Sequence, residues 1–241
     1  MLRVEWFGIS DVGLVRSDNE DAFLIREDLG FAALADGMGG AAAGELAGRY
    51  FVDAAEEVFS GASDGSQDIT RRLRETFELA NKKILHHTFV TPAHSGMGCT
   101  AEILAFCDDA FAVAHVGDSR TYRFRDLDLK LLTHDQSLVQ RLLDTGQISS
   151  EEALTHPLRH VILSAVGQAQ DMDLEMINGT ILPGDIFLLC SDGLTAMAPD
   201  AVISEILSTS SGLETRAKKL IDAAKDAGGL DNITVVLCAF E

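Results

Sequence analysis

Two pairs of amphipathic helices interrupt a chain that otherwise reads as strands, and this segregated order constrains the fold more than any other feature. Residues 3–10, 21–26 and 30–35 have the alternating, β-branched and aromatic pattern of strands, and Glu27, Asp28 and Gly30 mark a turn that makes the last two a hairpin. Leu46, Ala47, Tyr50, Phe51, Ala54, Ala55 and Val58 recur at helical spacing, which predicts a helix over 44–59. A second helix is predicted over 67–86, where Ile69, Leu73, Phe77, Ala80 and Ile84 form an inward stripe opposite a solvated charged face. Strands at 99–107, 110–117, 120–126 and 129–134 then read as one antiparallel meander. Strands at 172–178 and 185–191, helices at 200–208 and 213–227 and a last strand over 232–240 complete the chain. Strands, two helices, strands, two helices, strand is the order of an α+β sandwich and not of alternating βαβ units.

With 241 residues, 46% of them hydrophobic, and only four prolines, the chain can bury a full core and is read as one domain over 1–241. Within it, 137–166 breaks the strand pattern with short helical pieces around Gly146 and Pro157, and such an excursion is a candidate mobile flap. Nineteen basic against 38 acidic residues leave a net charge of −19, which argues against nucleic acid or an anionic membrane surface as a partner. Cys99, Cys107, Cys190 and Cys238 lie in or beside apolar runs with no CxxC pair, which predicts four small buried thiols in a reducing compartment. The N-terminus lacks the apolar stretch of a signal peptide, and no apolar run approaches the roughly 18–20 residues that span a bilayer. A cytoplasmic protein is expected.

Three aspartates carry the chemistry. Asp36, Asp192 and Asp231 each stand at the edge of a short apolar segment and are followed at once by Gly37, Gly193 and Asn232. A strand that delivers a carboxylate and then turns sharply points bare oxygen ligands at a hard cation such as Mg²⁺ or Mn²⁺. Asp21, in RSDNEDAF, is a fourth acidic candidate. Asp-Gly is also a common turn signal, so any one of these has a purely structural alternative.

Taken in order, RSDNEDAF, LADGMGG, GMGCTAEI, VGDSRTY, LTHDQSLV, CSDGL and DNIT resemble the metal-dependent protein serine/threonine phosphatases, the type 2C phosphatases, across nearly the whole chain. The resemblance implies a monomeric four-layer α-β-β-α sandwich, with two antiparallel sheets flanked by helix pairs and two Mn²⁺ or Mg²⁺ ions in a cleft at one end. It implies that Asp36 bridges the ions, the Gly37 carbonyl helps hold one, and Asp192 and Asp231 hold the other. It also implies that Glu20 and Asp21 are second-tier ligands that act partly through metal-bound waters. Asp118 resembles the ligand of a third, weaker ion near Asp192. Arg16 is implied as the phosphate clamp, because a guanidinium fork matches two phosphoryl oxygens; otherwise it would pair with Asp18 or Glu20. The implied reaction is attack of a metal-bridging hydroxide on phosphoserine or phosphothreonine in proteins, opposing a serine/threonine kinase.

The chain departs from the family's pattern at three positions. Met38 stands where many eukaryotic members carry a histidine that can protonate the leaving group, Ala41 where many bacterial members carry one, and Gln136 where the commoner pattern has Asp-His. His134 is the nearest histidine in a motif, and a lone histidine is more often structural. No cysteine is followed six residues later by arginine, and no GxxxxGK[ST] string occurs, which sets aside cysteine phosphatases and P-loop hydrolases. A catalytically silent module that uses the same fold to hold a partner is the competing reading.

Overall fold

A computed structural model describes residues 3–39, 43–61 and 68–241. Two five-stranded antiparallel sheets lie face to face. The first has the order β1-β10-β9-β6-β7, built from β1 (Val4–Asp11), β6 (Arg120–Arg125), β7 (Asp128–Leu131), β9 (Ile186–Cys190) and β10 (Ile233–Phe240). The second has the order β2-β3-β4-β5-β8, from β2 (Asp21–Arg26), β3 (Phe31–Met38), β4 (Gly98–Cys107), β5 (Ala110–Val116) and β8 (Glu175–Thr180). Helices α1 (Ala43–Ser60) and α2 (Ile69–Val90) cover the second sheet, and α6 (Asp200–Ser208) and α7 (Leu213–Asp226) cover the first. The four layers are those the resemblance implies. Short helices α3 (Leu138–Asp144) and α4 (Ser150–Leu154) lie in the excursion, and α5 (Asp192–Thr195) follows β9.

Side-chain alternation along each strand divides the interior into three cores. On β3, Phe31, Ala33 and Ala35 meet α1 and α2, while Ala32 and Leu34 point between the sheets. On β10, Ile233, Val235 and Leu237 meet the other helix pair, while Val236, Cys238 and Phe240 join the inter-sheet core. That core is aromatic at one end, where Trp6, Phe111, Phe187 and Phe240 are buried together. The same parity carried to the opposite strand ends places Asp21, Asp36, Thr100, Glu102, His115, Thr121, Ser191 and Thr234 between the sheets. The inter-sheet face is therefore apolar at one end and polar at the other.

Several expectations change in the fold. The four-strand meander is two hairpins in different sheets: β4 pairs with β5 in one, and β6 with β7 in the other. Local pattern cannot tell a hairpin turn from a crossing between sheets, and here Gly117 and Asp118 make the crossing. Asp36 lies inside β3, two residues short of its end, where it pairs with Asp21 on one side and Thr100 on the other. The strand expected at 172–178 runs over Glu175–Thr180, and the second helix extends to Val90, four residues beyond its expected end at 86. Residue 67, where that helix was expected to begin, and Ala41 lie outside the described residues. Cys99, Cys190 and Cys238 are buried, but Cys107, at the edge of β4, is half-exposed; all four are free thiols. No helix among the described residues is long and apolar enough to cross a membrane.

Candidate metal centre

The polar end of the inter-sheet face gathers the predicted carboxylates from five separate elements. Asp21 and Asp36 are directly opposed on β2 and β3. Asp192 opens α5 one residue after Ser191, which caps it in extended conformation, so this aspartate sits at a helix start and not in a turn. Asp118 leaves β5 after Gly117, and Asp231 precedes β10. Asp118 is buried, and Asp21, Asp36, Asp192 and Asp231 are half-buried.

Electrostatics show what this proximity costs. Burial, followed by repulsion from Asp21, Asp192, Asp118 and Asp231, pushes the Asp36 carboxyl well above the usual range. Burial lifts Asp21 to about 7 against two hydrogen bonds that pull it down, from Thr234 Oγ1 at 2.6 Å and Ser191 Oγ at 2.8 Å, both to Oδ2. Burial, then Asp192 and Asp135, lift Asp118 to about 8. Asp192 is raised by burial and Asp231, with smaller downward pulls from Asp36, His160 and Arg16. Two carboxylate oxygens, Asp21 Oδ1 and Asp118 Oδ1, are enclosed with no hydrogen-bond partner.

Such a cluster fits hard divalent cations. The donors are oxygens alone, they repel one another, and two point bare lone pairs into the protein. No group of three or more Asp, Glu, His or Cys side chains among the described residues stands in metal-holding geometry. Mg²⁺ at such sites keeps several waters and takes only one or two carboxylates.

Backbone packing holds the ligands close. A Cβ on Gly37 would stand 2.1 Å from the Gly44 carbonyl oxygen and 2.6 Å from that of Glu20, so only glycine admits the start of α1 and the 16–21 segment together. The Gly37 N–H donates to the Glu20 carbonyl at 3.2 Å. The Glu20 carboxylate folds over the first turn of α1, its Oε1 2.5 Å from where a Gly44 Cβ would be.

Arg16 pairs with neither Asp18 nor Glu20. Its Nη2 donates to Asp231 Oδ2 at 2.7 Å, linking two loops 215 residues apart in sequence, and its side chain is 50% exposed. Asn232 is the residue that motif reading undervalued. Buried, it donates through Nδ2 to the Val12 and Asp18 carbonyls at 3.0 and 2.9 Å and accepts the Glu20 N–H at 2.8 Å, so it fixes the whole 12–20 segment that carries Arg16. The signal was a polar residue inside the apolar run LDNITVV. Ser191 and Thr234, which hold Asp21, were likewise legible only by strand parity.

The three departures have structural occupants or lie outside view. Met38 offers its thioether to Gln168 Nε2 at 3.2 Å and has no proton to give. Gln136 accepts from Gly117 N at 3.0 Å and donates to the Asp173 carbonyl at 2.7 Å, clasping the turn before Asp118. His134 points away to Asp144 at 2.8 Å. Thr100 and Ser119 share a hydroxyl hydrogen bond of 2.6 Å, and Arg120 grips Asp135 through two bonds of 2.8 and 2.7 Å, which makes all three scaffold.

The 137–166 excursion is pinned at its base, with Leu138 N donating to the Val161 carbonyl at 2.8 Å and Leu163 N to that of Gln136 at 2.7 Å. A cleft of about 490 Å³ opens beside it, lined by His134, Asp135, Arg141, Asp144 and Asp173 among others. This cleft is next to the carboxylates rather than over them, joined to them through Arg120 and Asp118.

Comparison with known proteins gives one answer. A protein phosphatase 2C family model matches residues 13–231. Protein phosphatase PhpP of Streptococcus pneumoniae is 37% identical over 236 residues, covering 95% of this chain and 94% of the relative. The serine/threonine phosphatase stp of Listeria monocytogenes is 36% identical over 235 residues, covering 95% and 92%. The crystal structure of the Mycobacterium tuberculosis serine/threonine phosphatase PstP/Ppp superposes with a TM-score of 0.92 at 34% identity over 100% of both chains. A structure of the PstP catalytic domain in complex with two manganese ions gives 0.90 at 34% identity, over 100% of this chain and 99% of that one.

Proposed function

This chain belongs to the protein phosphatase 2C family, and from that premise we propose that it hydrolyses phosphoserine and phosphothreonine in proteins with Mn²⁺ or Mg²⁺, as one catalytic domain. The observation that carries the reading is the cluster of Asp21, Asp36, Asp118, Asp192 and Asp231, gathered at one end of the sheets close enough to repel one another, with Arg16 paired to Asp231 at its edge. Asp36 and the Gly37 carbonyl, with Asp192 and Asp231, would hold two cations; Glu20 and Asp21 would act through water, and Asp118 would serve a third. When bound, such ions supply a nucleophile from water at neutral pH and neutralise charge on the phosphoryl oxygens.

The protein's own groups do the rest. One N–H of the Arg16 guanidinium goes to Asp231, which orients the half-exposed fork and leaves its other donors for phosphoryl oxygens. Asn232 keeps the loop bearing Arg16 in register with Asp231. Asp21 is oriented by Ser191 and Thr234 so that its second oxygen faces the cluster unpaired. A silent binding module would be favoured by loss of these ligands, and every one of them is present.

Metal-stripped protein should release no phosphate from a phosphothreonine peptide and should regain turnover when Mn²⁺ is added. Asp192→Ala should stay inactive under both conditions. Absence of release from folded, Mn²⁺-loaded wild type would turn the reading to the binding module. Arg16→Ala should raise KM for phosphopeptide roughly ten- to hundredfold, the worth of charge-assisted hydrogen bonds, with a smaller effect on the Mn²⁺ concentration needed. Equal losses in both would mean that Arg16 acts only by steadying Asp231.

The proposal extends to access and setting. The excursion borders a cleft one step from Asp118, and His160 within it is near enough to Asp192 to influence it, which supports a role in admitting phosphoproteins. Exchanging 137–166 for a short linker should alter selectivity among phosphoproteins while aryl phosphate turnover stays similar; unaltered selectivity would refute that role. A monomer in a reducing, cytoplasmic setting, opposing a serine/threonine kinase, completes the proposal, supported by the free thiols and by the family.

A further inference from the structure

Large apolar side chains lie exposed at the rim of the cluster. Leu14 is 61% exposed, Val15 64% and Leu230 50%. Leu14 and Val15 immediately precede Arg16, and Leu230 immediately precedes Asp231, the two residues that form the ion pair between the loops. Leu14 N also donates to the Gly229 carbonyl at 2.8 Å. The side chains converge on the Gly228-Gly229 pair: Leu14 Cγ lies 3.0 Å from where a Gly229 Cβ would stand, and Leu230 Cγ and Met197 Sδ lie 3.8 and 3.7 Å from the corresponding point on Gly228. Two hydrogen-bonded loops therefore present a contiguous apolar lip, held in place before any ligand arrives.

We infer that Leu14, Val15 and Leu230 form a specificity lip that seats a bulky apolar side chain flanking the phosphorylated residue of a protein substrate. The inference rests on the reading of Arg16 as the phosphate clamp. Leu14 is two residues from Arg16, a separation of at most about 7 Å between Cα atoms, and a substrate residue one or two positions from the phosphorylated one lies at a similar distance along an extended peptide. Binding energy from a part of the substrate that does not react is available only if a rigid surface is there to meet it. The charge balance points the same way. A chain of net charge −19 repels acidic flanking residues, and Leu14, Val15 and Leu230 carry no charge to meet a basic one, so the contact the lip itself can make with a phosphorylated segment is apolar.

The test uses the full chain loaded with Mn²⁺ and a set of phosphothreonine peptides that differ only in Leu or Ser at one of the positions from two before to two after the phosphothreonine. At least one position should show kcat/KM about tenfold higher for Leu, the scale of a largely buried leucine side chain. In the double variant Leu14→Ser with Leu230→Ser that ratio should fall to about one, while kcat/KM for a small aryl phosphate stays at the wild-type value. Equal rates for Leu and Ser at every position in wild type would overturn the lip, as would a preference that survives in the double variant. A wild-type dimer by sedimentation that the double variant converts to monomer would also overturn it, by assigning the patch to a second copy. Failure to hydrolyse both the peptides and the aryl phosphate would instead sink the phosphatase reading, and is seen separately from a flat preference.

Discussion

Asp36→Asn should lower manganese-dependent phosphate release by about a thousandfold and yet make the metal-free protein more stable at pH 8. Both effects come from one feature. Asp36 lies between Asp21 and Thr100 in the register of the second sheet and faces the carboxylates of Asp21, Asp192, Asp118 and Asp231. Ligand cations need that convergence of charge, and the metal-free fold has to bear it. Asparagine keeps the shape, removes the charge and would remove the proposed ligand. For the metal-free protein at pH 8 the variant's Tm should therefore lie above that of wild type.

The pH dependence has a definite sign. The folded Asp36 carboxyl titrates well above its unfolded value, so its contribution to stability is fully present below about pH 4 and is lost as pH rises through the folded value. Asp21, at about 7, and Asp118, at about 8, follow the same rule. The advantage of the asparagine variant should therefore be absent near pH 4 and grow toward pH 8. Added Mn²⁺ should reverse the order at pH 8, because a ligand that binds only the folded state stabilises wild type by about 2.7 kcal/mol at a hundred times its Kd. Thermal melts of both proteins at several pH values, with chelator and with Mn²⁺, are the measurement. A variant less stable than wild type in chelator at pH 8 would show that Asp36 is a structural hydrogen-bonding group first.

Glu102→Ala should cost about 3–5 kcal/mol, lowering Tm by on the order of 10 °C. Glu102 on β4 and His115 on β5 are register partners, both fully buried on the inter-sheet face. His115 Nδ1 meets the Glu102 carboxylate and Nε2 lies 3.1 Å from the His134 carbonyl, so both ring nitrogens face acceptors and both carry protons. Thr121 Oγ1, from the opposite sheet, donates to the other Glu102 oxygen at 2.6 Å. Burial alone would pull the His115 pKa down, but the Glu102 charge and hydrogen bond outweigh it and lift it to about 9. Removal of the carboxylate lets burial drive the imidazole neutral and leaves both the ring Nδ1 and the threonine hydroxyl without their buried partner. Glu102→Gln, which keeps an acceptor for Nδ1, should lose much less.

A raised histidine pKa stabilises most below its unfolded value and least above its folded one. His115's contribution is thus fully present below about pH 6.5 and lost as pH rises through about 9, while burial also raises the Glu102 carboxyl above its ordinary value. That part of the alkaline loss should vanish in Glu102→Ala. An alanine variant within 1 kcal/mol of wild type at pH 7 would show that the network contributes little. Its position matters because it binds the two sheets together just below the carboxylates, next to the Gly117-Asp118 crossing.

Much of this was legible in one dimension. The order of periodic segments fixes two helix pairs and strands around them, because helix and strand periods are local properties of the chain. The aspartates at 36, 192 and 231 announced hard-cation chemistry by residue type and by the glycine or asparagine that follows, and each lies in the cluster. What local pattern could not supply was partnership. It read one meander where there are two sheets, since the residues between β5 and β6 look like a turn whether the next strand pairs back or crosses the sandwich. The ion-pair partners it offered Arg16, as the alternative to a phosphate clamp, were acids two and four residues away, whereas the guanidinium pairs with Asp231.

By itself, then, the sequence determined two helix pairs set among strands, the carboxylates that gather in the cluster and an acidity that argues against polyanionic partners, all of which follow from residue identity and short-range spacing. Only the tertiary structure decided which alternate positions face the space between the sheets, that Asn232, Ser191 and Thr234 orient the groups around Asp21 and Arg16, and that Leu14 and Leu230 meet over one glycine pair. Those outcomes depend on strand register and on contacts between residues 170 or more positions apart in sequence, and a one-residue slip in register would turn strand side chains such as Thr234 to the opposite face.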